Sequence, residues 1–395
     1  MLTVKQRIII DIISVAFGGS GIGRFEGQVV FVPFTVDGDK VEAEITKIKN
    51  RYCVASLTRV LSPSPYRVIP RCSLFKVCGG CHYQHIEYEH ELAVKKRQIV
   101  DIYERIGGIT SPPVEDVVPS PEEYAYRQKA DFHCRKERGK TSVGFMGLGN
   151  IDVIDVTRCE IVDESINEEY KNVKHRVISG EVDDMRLRIW SGVPYKSDWR
   201  IERKVKDKIL TVPYNSFFQA NATLADALVD SVEEACNPLS GSTVFDCYCG
   251  SGIFSLFLAS GARRVIGCDT DSSALRSAEH NLISNNLTSA FFYHGSAEKI
   301  MRKLRQKSFP IDTVLLDPPR GGLTAGISRE LIALGPTKII YLSCNPATQA
   351  RDIQCLEAGG YMLNKVRPFD MFPKTKHVEV LAILKKGFSK NYLDP

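Results

Sequence analysis

The segment from Thr243 to Asp269 constrains the fold more than any other part of the chain. An apolar run, Thr243-Val244-Phe245, leads into Asp246-Cys247-Tyr248-Cys249-Gly250-Ser251-Gly252, and a second apolar stretch follows from Ile253 to Ala259. Arg264-Val265-Ile266-Gly267-Cys268 then ends in Asp269. This reads as strand, tight turn, helix and strand, the repeat from which parallel α/β sheets are built. Glycines let the turn bring its backbone close to a ligand, and the start of the helix adds N–H donors. Asp269 lies about 20 residues beyond the turn, the spacing at which an acid reaches ribose hydroxyls. Only two glycines stand at the turn and an acid sits at the strand tip, so the dinucleotide fingerprint is not met. An adenine nucleoside without a pyrophosphate, S-adenosylmethionine, fits better than NAD. The bland alternative, a structural loop, is weakened by the matching acid and the strands on either side.

Two further strand ends carry reactive groups. Thr313-Val314-Leu315-Leu316 stops at Asp317-Pro318-Pro319-Arg320-Gly321-Gly322, where the prolines end the ladder and stiffen the exit. Lys338-Ile339-Ile340-Tyr341-Leu342 runs into Ser343-Cys344-Asn345-Pro346, and Glu379 closes Phe372-Pro373-Lys374-Thr375-Lys376-His377-Val378-Glu379. A thiol at the C-terminal end of a buried strand lies where α/β sheets collect ligands, which makes Cys344 a candidate nucleophile and Glu379 its candidate base. Read singly, Cys344 is a small buried hydrophobe and Asp317 a helix cap.

Read together, these three motifs resemble the RNA uracil-C5 methyltransferase family, and the resemblance extends over nearly the whole chain. Phe217-Phe218-Gln219-Ala220-Asn221 looks like the family's Gln-containing cofactor segment. Two departures stand out: Lys374 occupies a place where the family commonly has His, and Ile253 one where some members carry a polar cofactor contact. The resemblance implies a C-terminal doubly wound, Rossmann-like α/β methyltransferase domain that uses S-adenosylmethionine. It implies cofactor contacts from Gln219, Asp246, Tyr248, Gly250, Gly252, Asp269, Ser296 and Asp317. Uracil C5 is too weak a nucleophile to take a methyl group directly, so Cys344 would add to C6 and make an enolate. Asp317 would hydrogen-bond the uracil edge, and Glu379 would remove the C5 proton before Cys344 leaves. His377 is placed to orient the loop before Glu379, or simply to face solvent.

Cysteine spacing points to a second feature. Cys72, Cys78 and Cys81 fall within ten positions around Gly79-Gly80, and Cys159 lies far along the chain. Four thiolates suit tetrahedral zinc or an iron–sulfur cluster, and ligand chemistry alone leaves both open. The family resemblance implies a [4Fe–4S] cluster on Cys72, Cys78, Cys81 and Cys159, stapling a loop-rich middle domain with a modest core. Twelve cysteines without a secretory segment argue for a reducing compartment rather than disulfides. Cys53, Cys134, Cys236, Cys247, Cys249, Cys268 and Cys355 read as ordinary thiols.

A length of 395 residues is too great for one ordinary core. Residues 1–60 show glycine-punctuated strand patterns over Val4–Ile13, Phe17–Phe25, Gln28–Phe34, Lys40–Lys47 and Tyr52–Val60, a small β-barrel that resembles a TRAM domain. Phe17, Arg24, Phe25, Lys47, Lys49 and Arg51 could stack on bases or contact phosphates there. The proline-rich Leu61-Ser62-Pro63-Ser64-Pro65 opens a mixed α/β middle domain, residues 61–205, and the methyltransferase domain spans 206–395. Within the middle domain, Val94–Tyr103 reads as a basic amphipathic helix docked on a neighbouring domain, and Ala130–Cys134 and Thr141–Phe145 as paired strands. Arg127 and Lys129 are candidates for phosphate contact.

No apolar stretch reaches the roughly 18 residues of a membrane span, and the early Ile8-Ile9-Ile10 run is broken by Asp11. A cytoplasmic monomer is expected, with structured RNA as its partner. The net charge of +5 is compatible with nucleic acid. Cluster plus barrel resembles the 23S ribosomal RNA branch, with the tRNA T-loop as the alternative. A non-catalytic RNA-binding protein would have no need of Cys344 and Glu379. A zinc-stapled methyltransferase of proteins or small molecules would not need the cysteine.

Overall fold

A computed structural model describes residues 2–137, 139–196 and 200–387. Two units make up the chain. The first comprises the residues up to Ile99, Pro119–Tyr195 and Phe372–His377, and the second Val100–Val118, Lys196–Met371 and the chain from Val378.

In the first unit, β1 (Arg7–Val15), β2 (Ser20–Phe25), β3 (Gln28–Pro33), β4 (Lys40–Ile48) and β5 (Tyr52–Ser62) close a barrel in the order β1-β2-β3-β5-β4. Alternation along β1 turns Ile8, Ile10 and Ile12 inward onto Val30, Val32, Val41 and Ile45, and closure leaves no free sheet edge. Strand β1 begins three residues later than the apolar pattern predicts. Lys5 takes φ +70° and donates its N–H to the Ile45 carbonyl, so the chain turns before the strand starts. Gly18 and Gly19, both with positive φ, likewise delay β2 to Ser20 and leave Phe17 exposed outside the strand.

Next come α1 (Tyr88–Arg105), whose residues up to Ile99 belong to this unit, and, within it, β6 (Lys129–Glu137), β7 (Lys140–Met146), β8 (Val153–Asp155), α2 (Glu164–Ser179) and β9 (Arg186–Trp190). The last four strands form an antiparallel sheet, β8-β7-β6-β9. Helix α2 is capped by Asp163, which accepts from the Ser165 N–H, and it buries Ile166, Tyr170, Val173 and Val177. The Phe132 ring stacks on Tyr170 at 4.0 Å and Phe145 at 4.6 Å. A sheet backed by a helix and centred on three aromatic rings is a fuller core than the loop-rich middle region expected from the sequence. The expectation failed because ring stacking joins residues far apart in the chain. The basic-helix reading of α1 also needs correction at Lys95, which is buried and donates to Glu91 one turn earlier at 2.8 Å.

The second unit holds the hairpin β10 (Arg200–Val205) and β11 (Lys208–Pro213), followed by α3 (Ala222–Cys236). After it, β12 (Thr243–Cys247), α4 (Ile253–Leu258), β13 (Arg264–Asp269), α5 (Ser272–Ser284), β14 (Ala290–His294), α6 (Ala297–Gln306), β15 (Thr313–Leu316), α7 (Ala325–Leu334) and β16 (Lys338–Ser343) alternate. Helix α8 (Pro346–Ala358) and the pair β17 (Tyr361–Phe369) and β18 (Glu379–Lys386) complete the unit. The sheet order is β14-β13-β12-β15-β16-β18-β17, with the first five strands parallel and β18 antiparallel to both neighbours. Strand order reverses between β12 and β15, the position where such sheets bind ligands beyond their carboxyl ends. Because β18 runs the other way, its first residues lie where β16 finishes, with Ser343 paired to Val380. No helix among the described residues is long and apolar enough to cross a membrane.

The Phe132 stack yields a stability test. Phe132→Ala should cost about 3–5 kcal/mol, measured by urea unfolding followed by circular dichroism. A loss below about 1 kcal/mol, the level of an exposed-site change, would mean that the stack does not organise the core.

Candidate active site

Every strand end that the sequence marked as reactive lies at one edge of the seven-stranded sheet. Asp246 is the fourth residue of β12 and is wholly buried. Its Oδ2 accepts from the Ser255 hydroxyl at 2.6 Å, while Oδ1 has no hydrogen-bond partner among the described residues. The Ser251 hydroxyl in the adjoining turn is likewise buried without a partner. Asp269, at the end of β13, accepts from the Gly250 N–H at 2.9 Å and the Asp271 N–H at 2.8 Å. The acid predicted to reach a ribose therefore also ties down the glycine turn. Gly252 caps α4 with φ +80°, and a Cβ there would lie 2.9 Å from that of Ala278. Tyr248 also adopts a left-handed conformation, φ +65°, a strained choice for a non-glycine residue.

The other predicted contacts are distributed around this turn in sequence and fold. Gln219 is buried just before α3, and Ile253 is buried as the first residue of α4. Ser296 caps α6 by accepting from the Lys299 N–H, so its hydroxyl has a structural task in addition to the one predicted.

Cys344 follows β16 and is half-buried. Burial, Glu379 and Asp317 raise its thiol pKa, in that order of size, and the Arg320 guanidinium, hydrogen-bonded to it, opposes them. Glu379 opens β18 and is pushed up by burial and then by Asp317, again against Arg320. Asp317 is pushed up to about 7 by burial, then by Asp246 and Asp269. Asp246 also rises to about 7, through burial and then Asp269. A single cluster thus brings together Cys344, Glu379, Asp317 and Asp246. A carboxyl raised in this way can donate a hydrogen bond as well as accept one.

Arg320 had been quoted in the motif without a role. Its signal in the sequence was a cation just past Pro318-Pro319, where the chain leaves β15. The motif residues after Cys344 hold it in place: Asn345 Nδ2 and the Thr348 hydroxyl donate to the Arg320 carbonyl at 3.1 and 3.3 Å. Asn345 also caps α8, accepting from the Ala347 N–H, and Pro346 stands at its first turn.

The segment Phe372–His377 belongs to the first unit. Lys374, with φ +64°, is buried there. Its N–H donates to Glu91 at 2.8 Å, its ammonium pairs with Glu123 at 2.7 Å, and its carbonyl accepts from His82 and Tyr83 at 2.9 and 3.0 Å. The departure from the family pattern is therefore a structural anchor. The His377 N–H donates to Thr375 Oγ1 at 3.2 Å, and its ring meets Phe372 edge-on.

Cys72, Cys78, Cys81 and Cys159 line one cavity of about 60 Å³, together with Gln84 and Arg127. Among the described residues, however, no group of three or more His, Cys, Asp or Glu side chains is placed to hold a metal ion. The four thiols named from the sequence converge on this one cavity. Burial and mutual repulsion raise the Cys81 thiol, and burial raises Cys159 to about 11. Arg127 and Lys129 also depart from the phosphate-contact reading. Arg127 donates to the Lys129 carbonyl at 2.9 Å and lines the thiol cavity. The Lys129 ammonium sits over Trp190 and is pushed down to about 8, first by burial and then by Arg188.

A doubly wound sheet with acids at its ligand-binding edge and a glycine turn without a pyrophosphate signature defines a nucleoside-donor methyltransferase. Residues 196–387 match the family described as tRNA (Uracil-5-)-methyltransferase, and residues 3–58 match the TRAM domain. An uncharacterized RNA methyltransferase of Clostridium tetani is 31% identical, the alignment covering 93% of each chain. A similar protein of Bacillus cereus is 30% identical over 97% of this chain and 98% of its own. The crystal structure of Pyrococcus abyssi tRNA (uracil-54, C5)-methyltransferase, in complex with S-adenosyl-L-homocysteine, superposes with a TM-score of 0.74 at 25% identity. That match covers 95% of this chain and all of that one. This chain belongs to the S-adenosylmethionine-dependent RNA (uracil-C5)-methyltransferase family and is an enzyme of that class.

Two tests follow from the electrostatics. Asp246 and Asp317 ionise less readily folded than unfolded, so the folded state binds more protons between their unfolded values near 4 and their folded values near 7. Stability of the donor-free protein should therefore fall as pH rises across that window and flatten above it. Asp246→Asn should remove part of the slope in denaturant titrations from pH 4 to 8, and an unchanged slope would contradict the shifts. Arg320→Ala should move the alkylation midpoint of Cys344 to higher pH, read by mass spectrometry of iodoacetamide-treated protein. A midpoint that stays put would remove Arg320 from the thiol's surroundings.

Proposed function

We propose that this enzyme methylates C5 of a uridine in tRNA, in the T-loop, by covalent catalysis through Cys344. The observation that carries the chemistry is the convergence of thiol, two carboxylates and one guanidinium at the end of β16. For the substrate, the support is the tRNA description of the matched family and the near full-length likeness to a tRNA (uracil-54, C5)-methyltransferase. These favour tRNA over the 23S ribosomal RNA expected from barrel and cysteines.

In this reading Arg320 favours the Cys344 thiolate once its proton has gone to solvent. The sulfur bonds to C6, and the C5–C6 π electrons move onto C5 and O4. Asp317, ionised, accepts from N3–H; protonated, it donates to a carbonyl oxygen as charge develops there. C5 bonds to the donor methyl carbon as the sulfonium–methyl bond breaks. The Glu379 carboxylate takes the C5 proton, the C5–C6 double bond re-forms, and the thiolate leaves. A carboxylate with a raised pKa is a stronger base than an ordinary one, which suits Glu379 to a carbon acid. Asp246, Ser251 and Asp269 would hold the donor. The oxygens of Asp246 and Ser251 that have no partner among the described residues, and the negative charge of the two acids, suit a ligand bearing a sulfonium and an ammonium. Since a stacked base hides C5, the target uridine must be unstacked into the cleft.

Cys72, Cys78, Cys81 and Cys159 are the ligand set we assign to an iron–sulfur cluster. Supporting this is their shared cavity, while the thiol placement described above is the observation against it. Iron and sulfide analysis of anaerobically purified protein decides between them, with about four irons per chain expected.

Cys344→Ala should abolish methylation. Glu379→Gln should transfer the methyl group but retain the RNA on Cys344, giving a denaturant-resistant protein–RNA band that Cys344→Ala lacks. Transfer RNA containing 5-fluorouridine should trap the same band with the unaltered enzyme. Methylation by Cys344→Ala, or a 5-fluorouridine RNA that gives no band, would remove the covalent mechanism. Mapping the label to ribosomal rather than transfer RNA would overturn the substrate.

A further inference from the structure

Strand β14 is the edge of the seven-stranded sheet and pairs with β13 alone. Its alternate residues Phe291 and Tyr293 point to one face and are 47% and 50% exposed, although hydrophobic residues at a sheet edge ordinarily pack or are replaced by charge. With Phe309 and three cations, Arg264, Lys303 and Lys307, they line a groove of about 400 Å³ to which no carboxylate contributes. The Arg264 guanidinium lies 5.7 Å from the Phe291 ring centre and 5.4 Å from that of Phe309.

Helix α6 sorts its charges in a way that isolates this groove. On one side Arg302 bonds Glu298 and Glu330 at 2.8 and 2.9 Å, and Arg305 bonds Glu330 at 3.0 Å. Lys303 and Lys307, toward the groove, have no carboxylate partner among the described residues, and neither has Arg264.

We propose that this groove binds a single-stranded segment of the RNA substrate, away from the reacting uridine. Side chains two apart on a strand stand roughly 7 Å apart, a spacing that suits successive bases of an extended strand stacked on Phe291 and Tyr293. Aromatic rings for bases and cations for phosphates are the combination by which proteins hold single strands, and Arg264 adds a guanidinium plane. The groove runs from Arg264, at the start of β13, to Tyr293, which pairs with Cys268, and three strands separate β14 from β16, which leads to Cys344. Charge favours RNA over a second copy of the chain, because two such faces would set cation against cation.

The inference rests on the RNA reading above, and the test separates the two. Full-length tRNA transcript binding is measured by fluorescence anisotropy for the unaltered enzyme, for Phe291→Ala/Tyr293→Ala and for Lys303→Ala/Lys307→Ala, each checked for folding by circular dichroism. Methylation of a short hairpin is measured in parallel. The aromatic pair should weaken tRNA binding by about tenfold or more, as loss of base stacking does, with kcat on the hairpin unchanged. The lysine pair should flatten the dependence of log affinity on log salt by roughly 1.4, the release expected for two single-strand phosphates. In the unaltered enzyme, 4-thiouridine RNA should photocrosslink within residues 290–309, an arm that does not depend on any variant folding. Unchanged affinity and salt slope with no crosslink there would overturn the groove while leaving methylation intact. Sedimentation showing that the aromatic pair dissolves a dimer would assign the face to self-association and overturn it equally. Failure of the unaltered enzyme to bind or methylate any RNA would instead remove the parent reading.

Discussion

Burial of like charges at the carboxyl edge of the parallel sheet is the constraint on which the site depends. Asp246 and Glu379 are withdrawn from water, Asp317 is partly so, and each raises or is raised by a neighbour. The Arg320 guanidinium opposes these shifts at Cys344 and Glu379, and one guanidinium does not balance three carboxylates. Such a cluster persists because the sheet beneath it leaves no freedom to move apart. Strands β12, β15 and β16 are buried almost throughout, and their registers fix where each strand end falls. The resulting carboxyls hold protons in the free protein that they would give up to a cationic ligand. Binding of a cation beside Asp246 or Asp317 would therefore be linked to proton release.

Topology accounts for the placement of Glu379. A sixth parallel strand would have started at the opposite end of the sheet and carried its first residue away from Cys344. The antiparallel β18 brings its first residue to the end where β16 delivers the thiol, so one reversal of strand direction sets Glu379 at the same end of the sheet as Cys344. The pairing of Phe369 with Glu379 in the hairpin with β17 fixes that residue from its other side. Cys344 and Glu379 thus come from neighbouring strands, while Asp317 and Arg320 come from the exit of the next strand over.

Much of this was legible because it is local. Apolar runs, the acid at each strand end and the proline stop after Asp317 specify β12, β13, β15 and β16 without reference to distant residues. The barrel strands were visible for the same reason, since alternation is read within each strand. What escaped the sequence depends on encounters between distant segments. Arg320 acquires a role only because Asn345 and Thr348 hold its carbonyl. Lys129 looked like a phosphate contact until Trp190, from the paired strand β9, came under its ammonium. The sorting of charge on α6 was equally hidden, because Arg302 and Arg305 find Glu330 on the neighbouring helix α7.

Lys374 shows how a departure from a family pattern becomes intelligible through its surroundings. A buried ammonium is costly unless it is paired, and within the first unit Lys374 meets Glu91 and Glu123, with the Tyr88 ring 4.8 Å below it. Lys95 meets the same Glu91, so the two buried cations share a buried carboxylate and Lys374 also reaches the partly exposed Glu123. The backbone is held as firmly as the side chain. Tyr126 donates to the Pro373 carbonyl, and the His82 and Tyr83 N–H groups share that of Lys374. His82 follows Cys81 directly, so the thiol cavity and the anchored segment are adjacent along one stretch of backbone. An imidazole is too short and too often neutral to complete a four-charge arrangement of this kind, which gives lysine a physical reason to stand at this position.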